Sequence, residues 1–198
     1  MKVAILDYGA GNLHSLAKAL SRAGTNVAIE TDAERALASD ALILPGVGAF
    51  SLAAQSLAPY IVPIREALST GFPCLGICLG MQLLFDISEE GEGEGIGIFS
   101  GRVRRLEGRR VPQIGWNDLE ETQGELFEAS DLRTAYFANS FVCEPSDLTS
   151  IRAWATHEGD RFVASVETQN VVGVQFHPEK SSTPGIAFID AFLRRLKR

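Results

Sequence analysis

The chain has 198 residues, 45% of them apolar and 22% charged, the balance of a globular protein with its own core, which excludes disordered, collagen-like and low-complexity classes. The 25 acidic and 18 basic side chains leave a net charge of −7, so the surface as a whole repels nucleic-acid backbones and anionic lipid. No apolar run reaches the roughly 18 residues needed to cross a bilayer. Three cysteines, Cys74, Cys78 and Cys143, are too sparse and odd in number for a disulfide framework and suit a reducing cytosol. No second Cys or His pair follows Cys74 and Cys78 to complete a zinc set, so no metal is expected.

In chain order, the apolar run over residues 3–7 predicts a first strand, and Asp7 comes too early for a secretion signal. Tyr8-Gly9-Ala10-Gly11-Asn12 breaks it, and Leu13, Leu16, Ala17 and Leu20 then recur at helical spacing until Gly24. Residues 26–29 predict a second strand and 33–38 a short helix; 41–44 predict a third strand, stopped by Pro45-Gly46-Val47-Gly48. Residues 64–69 read as helix, 73–77 as a fourth strand and 79–85 as helix again. Strands alternating with helices over such short distances imply crossover units and a parallel sheet, and near-unbroken apolar strands fit a sheet covered on both faces.

The second half changes character. Residues 135–142, 151–156, 161–166 and 171–176 predict strands, with Glu158-Gly159-Asp160 as a hairpin turn. A last helix over 186–197 carries Ile186, Ile189, Leu193 and Leu196 on one face, and Arg194, Arg195, Lys197 and Arg198 complement its dipole. With no repeat or linker, residues 1–198 are expected to form a single domain. The acidic, glycine-rich segment 89–97 is expected to be a mobile surface loop. Arg102, Arg104, Arg105, Arg109 and Arg110 form either a solvated strand and turn or a patch for a phosphorylated ligand or acidic partner.

The segment with most chemistry in it is Gly76-Ile77-Cys78-Leu79-Gly80, where a strand runs directly into a helix. This is the nucleophile-elbow pattern with Cys in place of Ser. The turn is sharp, so small residues are needed two positions on either side. It puts the Cys78 sulfur at a helix N-terminus, where free N–H groups favour a thiolate, and the Leu79 N–H where an oxyanion would form. A buried structural cysteine beside tight-turn glycines is the alternative. A cysteine nucleophile needs a histidine partner. His14 sits on a predicted helix and His157 at the hairpin turn, whereas His177 directly follows an apolar strand, as Cys78 does. Glu179, two residues on across Pro178, can reach back to orient the imidazole, so that Cys78, His177 and Glu179 form a candidate triad. Glycines in Pro45-Gly46-Val47-Gly48 can turn backbone N–H groups toward a developing oxyanion; no Gly-Lys-Ser/Thr follows to make it a nucleotide loop. Gly91-Glu92-Gly93-Glu94-Gly95 is no phosphate loop either, because its glutamates repel phosphate.

Together these segments resemble the class I (triad) glutamine amidotransferases. The carriers are Asp7 to Leu13, Leu44 to Phe50, Gly76 to Gln82, Pro112-Gln113-Ile114-Gly115-Trp116-Asn117, and Gln175-Phe176-His177-Pro178-Glu179-Lys180-Ser181. The cysteine and histidine blocks are specific to the class. The opening block and Gly115-Trp116-Asn117 are most similar to one branch, the glutaminase subunits of imidazole glycerol phosphate synthases in histidine biosynthesis. The resemblance implies an α/β fold: a flavodoxin-like open, mostly parallel sheet flanked by helices, with antiparallel strands added in the C-terminal half. It implies hydrolysis of L-glutamine with Cys78 as nucleophile, His177 as base and acid, and Glu179 orienting it. An oxyanion hole from Val47, Gly48 and Leu79 follows, the Val47 N–H turning inward only after rearrangement, with substrate contacts from Gln82, Ser140 and Phe141. Relatives tend to read His-Ser-Tyr where this chain reads Asn139-Ser140-Phe141, so a tyrosine hydroxyl is missing at Phe141. No cofactor is implied. The implied partner is a separate (β/α)8-barrel cyclase subunit that consumes the ammonia, a barrel of roughly 250 residues for which this chain has no room. Gly115, Trp116, Asn117 and Lys180 would lie near the face that docks it, with Trp116 either an interface anchor or an ordinary core tryptophan. Glutaminase subunits of a pyridoxal phosphate or anthranilate synthase, a stand-alone γ-glutamyl hydrolase and a non-catalytic flavodoxin-like module are the competing readings.

Overall fold

The predicted crossover units become the parallel part of one large sheet. The computed structural model describes residues 1–9, 11–21 and 24–197; Ala10 and Arg198, quoted above, lie outside the described residues. The first half runs β1 (Lys2–Leu6), α1 (Leu13–Ser21), β2 (Asn26–Glu30), α2 (Ala33–Leu37), β3 (Ala41–Leu44), α3 (Phe50–Leu57), α4 (Ile61–Ser69), β4 (Cys74–Ile77) and α5 (Leu79–Gln82). The second half runs β5 (Ile87–Ser88), β6 (Gly101–Arg105), β7 (Gln113–Asp118), α6 (Glu125–Ser130), β8 (Thr134–Asn139), β9 (Phe141–Pro145), β10 (Ile151–His157), β11 (Asp160–Thr168), β12 (Val171–Val174) and α7 (Ser182–Arg195).

Among the described residues the large sheet has the order β2-β1-β3-β4-β12-β11-β9-β6-β5, with β10 paired to β11, and β7 and β8 form a separate two-stranded sheet. From β2 to β12 every pairing is parallel; β11 then pairs antiparallel with β12 and β9. The α/β expectation therefore holds, with antiparallel strands added in the second half. β1 and β3 are buried along almost their whole length because both faces are covered. Val3, Ile5 and Ile43 pack on the side of α1 and α7; Ala4, Leu42 and Leu44 pack on the side of α3 and α4.

Three differences from the sequence reading bear on the site. The helix expected over 79–85 stops at Gln82. The carbonyls of Leu83, Leu84 and Phe85 accept from the N–H groups of Ile96, Ile98 and Gly97 at 2.6, 2.8 and 3.2 Å, so the chain leaves the helix to hold that segment. The C-terminal part of segment 89–97 is consequently anchored, with Ile96 wholly buried, and is not a free surface loop. The strand expected over 135–142 is two strands in different sheets, parting at Ser140: Asn139 pairs with Gln113 on β7, and Phe141 with Arg105 on β6. Residues 135, 137 and 139 point inward and then 142 does, a change of parity that one period-2 strand cannot make. The helices α3 and α6 and the strands β5 and β7 have no counterpart in the sequence reading.

Three members of the arginine stretch are paired with carboxylates. Arg104 bonds to both carboxylate oxygens of Asp160 at 2.7 Å and to Glu144 at 2.7 Å; Arg102 pairs with Glu144 and Glu89, and Arg110 with Glu158. Asp160 is pulled below the usual aspartate range against its own burial by the hydrogen bonds from Arg104 and from the Glu107 N–H.

Candidate active site

The C-terminal ends of β3, β4 and β12 meet at one edge, the usual ligand position in an open parallel sheet. Parallel register sets Ile77 beside Val174, and the Cys78 N–H donates to the Val174 carbonyl at 2.7 Å. The residues that follow these strands, Cys78 and His177, are thereby delivered to the same place. Cys78 itself has φ +50° and ψ −105°, a strained conformation of the kind kept at functional turns. The elbow glycines are required by close approach: a Cβ at Gly80 would stand 2.0 Å from the Leu44 carbonyl oxygen, and one at Gly76 2.6 Å from the Gly80 carbonyl oxygen.

A cavity of about 260 Å3 opens there, and Val47, Gly48, Cys78, Leu79, Gln82, Ser140, Phe141, His177 and Lys180 all line it. The structure thus brings together every residue expected for nucleophile, oxyanion hole and substrate contact. Glu179 stands behind the histidine, its Oε1 2.9 Å from His177 Nδ1, which leaves Nε2 as the nitrogen available to the sulfur. His177 is 1% exposed. Burial works against its imidazolium, but the interactions with Cys78 and Glu179 outweigh burial and its pKa is pushed up to about 9. The backbone around it is clipped to β8: the His177 N–H donates to the Tyr136 carbonyl at 2.8 Å, and Ser181 Oγ donates to the His177 carbonyl at 2.7 Å while accepting from the Tyr136 N–H at 2.9 Å. Opposite, segment 45–48 is held by Tyr8 and Gly11, with the Tyr8 hydroxyl donating to the Pro45 carbonyl and the Gly11 N–H to the Val47 carbonyl at 3.0 Å.

His14 is exposed on α1 and His157 Nε2 lies 2.8 Å from the Arg110 carbonyl, both outside the cavity. Gly115, Trp116 and Asn117 are also outside it, on β7. Trp116 is 57% exposed and is not a core tryptophan; its ring meets the edge of Tyr136 at 6.2 Å, and Lys180 lies 5.6 Å over that same Tyr136 ring. Lys180 therefore bridges the cavity and the β7–β8 face. The Asn117 amide is engaged internally, donating to the Thr156 carbonyl at 2.9 Å.

Sequence reasoning missed Gln175 and Glu90, whereas Asn139, which also lines the cavity, belongs to the Asn139-Ser140-Phe141 segment already quoted for substrate contact. Gln175 is fully buried and reaches Cys78 Sγ with Nε2 at 3.4 Å; the available signal was a lone amide inside the apolar run 171–176. Glu90 lines the cavity and accepts from the Phe50 N–H at 2.8 Å. Gln82 donates to the Phe141 carbonyl and to Gln175 Oε1 at 3.1 and 3.2 Å, and Asn139 donates to that same carbonyl at 3.1 Å. Both hydrogens of the Gln82 amide and the Phe141 carbonyl are thus engaged within the protein.

A cysteine at an elbow, a carboxylate-backed imidazole and a lined cavity thus meet at one edge of an α/β sheet. The chain belongs to the class I glutamine amidotransferases, whose family model (Glutamine amidotransferase class-I) matches residues 4–196. Within that family it is similar to proteins named imidazole glycerol phosphate synthase subunit HisH. It is 41% identical to that of Trichodesmium erythraeum over 98% of this chain and 94% of the relative, and 42% identical to that of Cyanothece over 98% and 96%. The HisH of Synechocystis is 40% identical over 98% and 96%. The fold matches a crystal structure of a glutamine amidotransferase with a TM-score of 0.77 at 23% identity, covering 99% of both chains. It also matches a structure of PurLQS from Thermotoga maritima with a TM-score of 0.74 at 19% identity, covering 98% of both.

Proposed function

We propose that this chain is the glutaminase subunit of an imidazole glycerol phosphate synthase, acting as one amidotransferase domain over residues 1–198. It hydrolyses L-glutamine to glutamate and ammonia. The ammonia passes to a (β/α)8 cyclase subunit that makes imidazole glycerol phosphate and aminoimidazole carboxamide ribotide. The observation that carries this reading is the convergence of Cys78 and His177 on one cavity with Glu179 2.9 Å behind the imidazole, in a chain about 40% identical to HisH subunits.

The side-chain amide carbon of glutamine enters beside Cys78. The sulfur attacks it while His177 holds the thiol proton, and the amide oxygen becomes an oxyanion. The N–H of Leu79, the first residue of α5 and without an intrahelical acceptor, takes that oxyanion together with the 47–48 backbone. The tetrahedral intermediate collapses, the C–N bond breaks, and the proton on His177 leaves with the nitrogen as ammonia. A water, deprotonated by the now neutral imidazole, cleaves the thioester to glutamate and returns the proton to sulfur. Glu179 keeps Nδ1 protonated throughout. Glu90, the carboxylate of the cavity wall, is placed to take the α-ammonium of glutamine.

The cyclase docks on the β7–β8 face, where Trp116 and Ile114 are 57% and 68% exposed, with Gly115, Asn117 and Lys180 at its border. The protein works in the cytoplasm; among the described residues no helix is long and apolar enough to cross a membrane. The test is glutamate release with the cyclase and its ligand present or absent. Release should be slow alone, rise with the partner, and vanish in Cys78→Ala. Equal rates with and without the partner would leave a stand-alone hydrolase, and turnover by the alanine variant would remove Cys78 from the chemistry.

A further inference from the structure

Gln175 lies one residue beyond β12, wholly buried, with its amide between the nucleophile and Gln82. The orientation of that amide is dictated by its neighbours. The Phe141 carbonyl can only accept, so the end of Gln82 that lies 3.1 Å from it is the NH2 group. The second hydrogen of that NH2 goes to Gln175 at 3.2 Å, which must therefore present its oxygen there. The Gln175 NH2 is left facing Cys78 Sγ at 3.4 Å. The opposite orientation would set two NH2 groups against each other.

We infer that Gln175 is a further catalytic residue of this site: it donates a side-chain N–H to the Cys78 sulfur and favours the thiolate over the thiol, and Gln82 locks the donor in place from behind. The inference rests on the reading of Cys78 as the nucleophile. Its physical basis is that a donor bonds a charged sulfur more strongly than a neutral one. A stabilised thiolate is also a weaker nucleophile, with a Brønsted slope of about 0.4–0.5. Losing the donor so that ionisation moves up by about one pH unit therefore costs tenfold in ionised sulfur and returns about threefold in reactivity. The other titratable groups around the sulfur are His177 with Glu179 behind it, Glu90 and Lys180 across the cavity, Tyr8, raised by burial first and then by Cys74 and Cys78, and Cys143, raised by burial first and then by Cys78. None of these changes in the variants below.

The experiment is the rate of Cys78 alkylation by iodoacetamide across roughly pH 5–10, followed by mass spectrometry, in the wild type and in Gln175→Met, which keeps the length and removes the donor. Cys74 and Cys143 are 0% and 1% exposed, so the reaction reads Cys78. In the variant the midpoint should rise by about one unit, with rates about threefold lower below it and about threefold higher above it, so that the profiles cross. Gln82→Met should move the profile the same way by less, since it frees the Gln175 amide to rotate. A role confined to packing lowers thermal stability without making the profiles cross, and superimposable profiles in a folded variant overturn the inference. Should Gln175→Met fail to fold, the Gln175 side-chain N–H resonance of the wild type decides: it should titrate at the alkylation midpoint, and a pH-invariant resonance overturns the inference. Glutamine hydrolysis measured in parallel keeps the two readings apart. Crossing profiles without hydrolysis under any condition would sink the glutaminase reading alone, and hydrolysis with superimposable profiles would sink the donor alone.

Discussion

His177 and Glu179 hold each other across a single proline, imidazole Nδ1 to carboxylate Oε1 at 2.9 Å, with side chains 2% and 5% exposed. A pair this buried is asymmetric in its consequences. Kept whole, it sets tautomer and ring orientation; broken, it leaves a buried group without a partner.

Glu179→Gln should therefore impair catalysis far more than folding. The amide keeps the shape of the carboxylate but can also donate, which permits the wrong imidazole tautomer. Glutaminase kcat in the presence of the cyclase should fall by about 100-fold or more, with KM changed little. A variant with wild-type kcat would show that Glu179 does not orient the base.

The raised pKa of His177, about 9, carries a stability consequence whose sign is set by the unfolded value near 6.5. The folded state binds the proton more tightly, so its contribution is complete below about pH 6.5 and is lost as pH rises through about 9, on the order of a few kcal/mol. Urea unfolding of the wild type and of His177→Gln should give a stability difference that shrinks between these limits. A difference independent of pH would mean that the imidazolium gains nothing from its neighbours.

Trp116→Ala should leave the isolated subunit within about 0.5 kcal/mol of wild type, because the ring is more than half exposed. Its effect belongs to the complex, where loss of an aromatic anchor should weaken cyclase binding by more than about 1 kcal/mol. Calorimetric titration reads both the midpoint and the stoichiometry. An unchanged affinity would place the docking face elsewhere.

Gly80→Ala should deform the elbow, because the added methyl would stand 2.0 Å from the Leu44 carbonyl oxygen and backbone cannot swing away as a side chain does. A loss of about 2 kcal/mol or more is expected, with alkylation of Cys78 slowed in parallel. A variant as stable and as reactive as wild type would show that β3 and α5 are not packed as closely as these contacts require.

The parts of the site that were legible beforehand are those whose geometry is local. Gly76-x-Cys78-x-Gly80 announces its turn because five residues contain both the bend and the reason for small neighbours. His177-Pro178-Glu179 announces its hydrogen bond because two residues of reach suffice. Parallel pairing was legible as well, since strands 3–7 and 41–44 have no polar face to show to water. What only the tertiary structure decided are pairings between distant segments that leave no local mark. The arginines at 102–110 read either as a solvated strand and turn or as a basic patch, and nothing local announces that Glu144, Asp160 and Glu158 arrive from β9 and the β10–β11 hairpin to pair with Arg102, Arg104 and Arg110. Residues 83–85 read as helix because they are apolar, and they stop being helix because their carbonyls are taken by residues 96–98. Gln175 read as strand, and its meaning depends on a carbonyl at Phe141 and an amide at Gln82. Side-chain type and spacing fix what a short stretch of chain can do, whereas the partner of a buried polar group is chosen by whichever distant backbone the sheet brings alongside it.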